Sequence, residues 1–344
     1  MFLKNISAAV LAMYCMGAGL VQAETKLVLN NFVPPNHFFS KVMHEWAADV
    51  KEATEGRVVF EIPAGPVAAP AQLLNATRSG IVDAAVMANI FVQKQVPEFS
   101  YSSLPFLIND AEAGSVANWK SYEKFLADKK PLKRYGVEIL SQFNFSGGQF
   151  YTLEDNPITS LDQLKRKRIW ALNGYTADTI INLGMSPIVS PAVQISEYVT
   201  KGVVDVYYGI SLESTIDFKS APYTKGIMML PMGATSTSFS FFINQRAWDK
   251  LDPKDRDVIS ELSGEALARR VGKRAQEESV IAYKQLMADG VTEYPITSEL
   301  YNDLQEAAKP LFETFVKEAK KKGVNGQELI DYFMQTYEAE IAKQ

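Results

Sequence analysis

Residues 157–209 read PITSLDQLKRKRIWALNGYTADTIINLGMSPIVSPAVQISEYVTKGVVDVYYG. Leu164-Lys165 lies in a turn, and Ile169 opens a short strand that runs through Trp170. Gly184 and Pro187 mark a second turn after a helix. Ser196-Glu197-Tyr198 belongs to a further helix, which Gly202 ends before Val204-Asp205 starts the next strand. A glycine at a helix C-terminus is the usual way out of a helix.

The same order appears upstream. Leu27-Val28-Leu29 reads as strand, and Phe39, Val42, Met43, Trp46 and Val50 recur at helical spacing up to Gly56. Arg57 to Ile62 is strand-like, Gln72 to Ser79 helical, and Gly80-Ile81-Val82-Asp83 echoes Gly202-Val203-Val204-Asp205. Such βαβ alternation predicts mainly parallel sheets flanked by helices. About 320 residues beyond the leader exceed one ordinary core, so two units are expected. The C-terminal part is helical, starting at the Asp252-Pro253 cap. Its charged run Arg269-Arg270, Lys273-Arg274, Glu277-Glu278 reads as a solvated face.

These pieces, in this order, resemble the solute-binding proteins of TRAP (tripartite ATP-independent periplasmic) transporters, the DctP-like family. Thr54-Glu55-Gly56-Arg57, Leu104-Pro105-Phe106-Leu107 and Phe242-Ile243-Asn244 with Trp248 and Leu251 extend the similarity along the chain. The resemblance implies a two-lobed α/β periplasmic binding protein of type II-like form, with parallel or mixed sheets and a ligand cleft between the lobes. The first lobe is expected to hold residues 24–147 and about 236–276. The second is expected to hold 148–235 and about 277–344, with the C-terminal helices. The implied partners are a small organic solute and the membrane permease subunits. Reporting to a sensor instead of a transporter, or an enzyme on the same scaffold, are the alternatives of other classes.

The N-terminus fits that compartment. Lys4 is the only charge before Glu24, an apolar stretch runs from Ile6 to Val21, and Val21-Gln22-Ala23 has the shape of a signal peptidase site. The run is shorter than the ~20 residues that span a bilayer. Cleavage is expected after Ala23, giving a periplasmic protein. Cys15, the only cysteine, lies in this leader, so the mature chain has neither a disulfide nor a thiol nucleophile. The chain carries 35 basic and 40 acidic residues. Losing Lys4 takes the formal charge from −5 to −6, which argues against nucleic acid.

Catalytic signals are poor. His37 and His44 are the only histidines and have no metal-ligand spacing. No phosphate loop or nucleophile elbow occurs, and Ser146-Gly147-Gly148 is a loop outside any GxGxxG pattern. No catalytic residue, metal or cofactor is expected.

The resemblance places ligand contacts at positions that have turned aromatic here. The family's carboxylate-clamping arginine falls on Trp170, and its partner arginine on Phe150. The asparagine loop becomes Tyr207-Tyr208-Gly209, and the N-terminal polar position falls on Phe32, or on Asn31 after a one-residue shift. With Tyr175, this set favours a small amine, amino alcohol or quaternary ammonium ligand through cation–π contact. Glu213 is the candidate counter-charge. A neutral polar or aromatic ligand is the next reading. An organic acid remains open if Arg168, on the same strand face as Trp170 and ~7 Å away, serves as a relocated clamp.

Overall fold

The structure, a computed structural model, describes residues 24–344; the leader expectation for residues 1–23, Cys15 included, lies outside the described residues. In chain order the strands are β1 (Thr25–Asn30), β2 (Val58–Glu61), β3 (Ala84–Ala88), β4 (Val137–Gly147), β5 (Gln149–Thr152), β6 (Ile169–Leu172), β7 (Ile188–Ser190), β8 (Val206–Ile210), β9 (Gly226–Met229), β10 (Ser236–Asn244) and β11 (Thr292–Pro295). The helices are α1 (Phe38–Ala53), α2 (Leu73–Ser79), α3 (Ala111–Phe125), α4 (Leu161–Leu164), α5 (Tyr175–Asn182), α6 (Ile195–Thr200), α7 (Leu212–Asp217), α8 (Gln245–Lys250), α9 (Pro253–Leu262), α10 (Gly264–Ala288), α11 (Ser298–Lys321) and α12 (Gly326–Ile341).

Two mixed sheets result, with order β2-β1-β3-β10-β4 in lobe I and β11-β9-β5-β8-β6-β7 in lobe II. In lobe I, β1 runs parallel to β2 and β3, while β10 is antiparallel to β3 and β4. Helix α1 covers this sheet with the apolar stripe read from the sequence, and Trp46 meets Phe60 and Phe241 at 4.8 Å each. In lobe II, β8 runs parallel to β6 and antiparallel to β5.

The internal echo has a physical basis. Gly80 and Gly202 both adopt positive φ, at 79° and 61°, which a glycine does without steric cost. Each following aspartate then ties the neighbouring strand: the N–H of Val28 donates to Asp83 Oδ2, and that of Arg168 to Asp205 Oδ2, both at 2.8 Å.

The helical C-terminus departs from expectation. The boundary near residue 276 falls inside α10, one unbroken helix that packs on α3 and β4 of lobe I and reaches α7 of lobe II. Helix α11 packs on α5 in lobe II, but α12 returns to α3 in lobe I. The charged run is also more than a solvated face. Arg269 pairs with Glu112 on α3 and Glu340 on α12, while Arg270 and Arg274 pair with Asp49 and Glu45 on α1. No helix among the described residues is long and apolar enough to cross a membrane.

Candidate functional site

The chain crosses between lobes at Gly147-Gly148 and again near Gly233. A Cβ on Gly147 would lie 2.9 Å from Gly233 Cα, and one on Gly148 would collide with the Gly209 carbonyl. The glycines therefore let two backbone crossings and the end of β8 lie against one another.

Beside these crossings lies a cavity of about 90 Å³ between the lobes. Its apolar wall is aromatic: Phe32, Phe91, Phe145 and Phe239 from lobe I, Tyr175 and Phe218 from lobe II. Phe145 and Phe239 have ring centres 4.3 Å apart, and Phe32 stacks on Phe239 at 6.0 Å. The polar wall consists of hydroxyls and amides: Asn89, Ser100, Ser103 and Ser238 on one side, Asn173, Ser211 and Ser214 on the other. Asn89 Nδ2 donates to Ser238 Oγ at 3.1 Å, and its Oδ1 accepts from Ser240 Oγ at 2.6 Å. Ser100 Oγ is buried beside the Tyr175 hydroxyl. Among the described residues, neither a carboxylate nor a Lys or Arg side chain lines the cavity.

Lobe II delivers the N-terminus of α5 to this space. Gly174, the N-cap, has φ 92°, and a side chain there would strike Ile90 of lobe I. The lobes thus touch at the rim of the cavity. Burial pushes the Tyr175 hydroxyl well above its ordinary range, against the smaller opposing effect of Gln93 and Ser100 nearby. Tyr175 is accordingly neutral at physiological pH.

Of the positions singled out in the sequence, Phe32 and Tyr175 line the cavity. Asn31 sits behind it, its Oδ1 accepting from the Val33 N–H at 3.3 Å and its Nδ2 buried without a partner. Trp170 is fully buried in the core of lobe II, and its indole N–H donates to Ser190 Oγ at 2.9 Å. It shares its sheet face with Tyr151 and Tyr207, whose rings stack at 4.4 Å. Tyr207 closes a hydrogen bond to Thr224 at 2.6 Å. Phe150 and Tyr208 occupy the opposite face, 5.3 Å apart, in the core that α11 covers. The cage imagined from Trp170, Phe150 and Tyr208 therefore does not assemble, because alternate residues of a strand point to opposite faces.

Arg168 is also corrected. Its guanidinium is exposed and pairs with Asp205 at the lobe II surface, and it is not among the residues that line the cavity. Glu213 is buried but lies behind the cavity wall, and burial pushes its carboxyl up to about 7 against the smaller opposing effect of the Ser211 hydroxyl and nearby backbone N–H groups. It offers no counter-charge inside the cavity.

Sequence reasoning passed over Phe145, Phe218, Phe239 and the hydroxyl set. One signal was present for Phe145 and Phe239: Phe143-Asn144-Phe145-Ser146 and Ser238-Phe239-Ser240-Phe241 both alternate aromatic and small polar residues near the glycine crossings. Among the described residues, no group of three or more His, Cys, Asp or Glu is placed to hold a metal ion.

Comparison with known proteins gives the same picture. The model of the bacterial extracellular solute-binding protein family 7 (DctP) matches residues 29–319. A protein of Comamonas testosteroni described as outer membrane transporter protein TsaT is 27% identical over 332 residues, 96% of this chain and 97% of its own length. A TRAP periplasmic solute-binding protein of Bordetella bronchiseptica, solved with bound (R)- and (S)-mandelate, superposes with a TM-score of 0.85 at 26% identity. That alignment covers 92% of this chain and 99% of the other. A TRAP solute-binding protein of Rhodoferax ferrireducens, solved with copurified benzoate, shares the fold at a TM-score of 0.82 and 21% identity, over 92% and 99% of the two chains. Two sheeted lobes, an aromatic cavity between them and a family match over most of the chain place this protein in the bacterial extracellular solute-binding protein family 7, the periplasmic solute-binding proteins of TRAP transporters.

Proposed function

We propose that this protein captures a small, single-ring aromatic organic acid in the periplasm and delivers it to the membrane permease subunits of a TRAP transporter. The observation that carries the reading is the lining of the cavity. Six aromatic rings and a set of aliphatic side chains, Ile90, Leu172 and Val193 among them, surround a space of about 90 Å³, and the polar part of the wall is hydroxyl and amide. Rings on both sides of this space suit a flat aromatic ligand, which can stack on or edge against them.

The charge of the ligand follows from what could pair with it. An ammonium group buried here would meet no carboxylate, and an unpaired buried charge is costly. A carboxylate would meet hydroxyl and amide donors and the N-terminal N–H groups of α5, whose helix dipole favours an anion. The amine reading thus loses its counter-charge, and the acid reading does not need Arg168. Mandelate in the Bordetella bronchiseptica protein lends further support. The lack of any full positive charge keeps one second reading, a neutral aromatic alcohol or amide.

Calorimetric titration with benzoate, (R)-mandelate, benzyl alcohol and benzylamine separates these. Saturable binding of an acid, with no heat from benzylamine, is expected. Tight binding of benzylamine would overturn the reading. Recovery of the bound acid unchanged after long incubation would agree with a binding protein and not an enzyme.

A further inference from the structure

Asp217 ends α7 in lobe II, and its carboxylate lies at the N-terminus of α1 in lobe I. The Phe38 N–H donates to Asp217 Oδ2 at 3.4 Å, and His37 Nε2 stands 3.7 Å from the same oxygen. The proton of His37 can be placed from its other contact. His37 Nδ1 accepts the Phe39 N–H at 3.1 Å as the cap of α1, so in the neutral ring Nε2 carries the hydrogen. That N–H is buried without a hydrogen-bond partner and faces Asp217 just beyond bonding distance. Protonating Nδ1 would break the cap. Burial, aided by Lys41, accordingly lowers the imidazole to about 3, and His37 stays neutral.

This contact stands directly behind the cavity. The His37 ring lies 5.2 Å from Phe218 and 5.9 Å from Phe145, and both of those rings line the cavity, one from each lobe. We propose that Asp217 is a positioning residue for the closed cleft: by joining α7 to the start of α1 through His37 and Phe38, it holds Phe218 and Phe145 about the His37 ring and makes closure of the lobes strengthen as the pH falls. The proposal rests on reading the cavity as the solute site.

The direction follows from proton linkage. Burial pushes the Asp217 carboxyl up to about 6; the Phe38 N–H opposes this, Glu278 on α10 adds to it, and Lys41 on α1 opposes it. Glu213 on the same helix is a further ionisable neighbour, raised in part by the Asp217 charge. With the lobes apart, Asp217 meets water and returns toward its ordinary 3.8. A carboxyl that holds its proton more tightly in the closed form favours closure at low pH. The rise in the closed-to-open ratio should set in near pH 6, reach at most about tenfold by pH 5 relative to pH 8, and continue below pH 5. Neutral Asp217 keeps one oxygen to accept from Phe38, and its hydroxyl turns outward.

The mature chain lacks cysteine, so spin labels go only where they are put. Asn75→Cys on α2 and Gln194→Cys flank the cleft from opposite lobes, and both positions are exposed. Interlobe distances are measured by electron–electron resonance in ligand-free protein at pH 8 and pH 5, beside the Kd for (R)-mandelate. The wild type should shift to the short distance at pH 5. Asp217→Asn should populate the short distance equally at both pH values, whereas Glu213→Gln, which removes a coupled neighbour and leaves Asp217 in place, should still shift toward the short distance at pH 5. Asp217→Ser serves the same purpose if the asparagine variant fails to fold. A wild type without pH dependence, a slope that survives in Asp217→Asn, or a slope lost in Glu213→Gln would each overturn the proposal. Absence of mandelate binding with the distance shift intact would instead count against the solute assignment and leave the Asp217 contact standing.

Discussion

Lobe I and lobe II share a layout and differ in what they bury beside the cleft. Lobe I buries a polar ladder. Tyr101 donates to Asn118 Oδ1, Asn118 to Asn144 Oδ1, and Asn144 to Ser236 Oγ; nearer the cavity, Gln142 donates to Ser240, Ser240 to Asn89, and Asn89 to Ser238. Lobe II buries rings: Tyr151, Trp170 and Tyr207 on one sheet face, Phe150 and Tyr208 on the other. The polar ladder ends as donors and acceptors at the cavity. The aromatic layer ends short of it, so lobe II contributes to the cavity through loops and helix starts at Asn173-Gly174-Tyr175 and Ser211. A binding site can therefore lose charged strand residues and keep its polar contacts, provided the opposite lobe supplies them.

Trp170→Ala tests this contrast with the largest effect. The indole is fully buried and hydrogen-bonded, so removing it should cost roughly 3–5 kcal/mol of stability. Chemical unfolding of residues 24–344 measures the loss. Ligand affinity of the folded fraction should change little. The opposite pattern, intact stability with lost affinity, would move Trp170 back to the cleft and erase the distinction between the lobes.

Asn144→Ala probes the other side. Its amide serves Ser102 O and Ser236 Oγ and accepts from Asn118, all inside lobe I. Orphaning these groups should cost roughly 2–3 kcal/mol, since a buried polar group without a partner bears its full desolvation penalty. The same unfolding experiment reads it. A change below about 0.5 kcal/mol would mean that water replaces the amide and that the ladder is not continuous.

Much of the fold was legible because it rests on periodicity and on turn chemistry. The α1 stripe, the two helix-end glycines and the Asp83 and Asp205 positions all express local rules, and each appears where those rules put it. The cavity was less legible. Family matching locates a position on a strand, but side-chain direction and reach decide whether that position meets ligand. A long arginine at the place of Trp170 and the tryptophan itself need not reach the same space. Phe218 and Phe145 come from segments 73 residues apart, and only the crossing of the two lobes brings them to one wall. The path of α12 back to lobe I was hidden for a similar reason. Its apolar stripe is evident, but a helix of this kind does not declare which neighbour it will cover.

Arg168→Ala should have the smallest effect, and that is its value. The charge is exposed and bound to Asp205. The Asp205 carboxyl is held below its ordinary value first by the Arg168 side-chain hydrogen bond, against the cost of burial. Exposed pairs of this kind contribute little to stability and are weakened by salt. The Arg168 backbone N–H still reaches Asp205 Oδ2 in the variant, so the strand connection survives. Affinity for benzoate or mandelate should be unchanged within error by calorimetry, and the unfolding midpoint should move only slightly, less so at high salt. If Arg168→Ala abolished binding of an acid, the guanidinium would have to swing from Asp205 into the cleft on ligand binding. Lobe II would then supply the charge after all, and the hydroxyl wall of lobe I would be secondary.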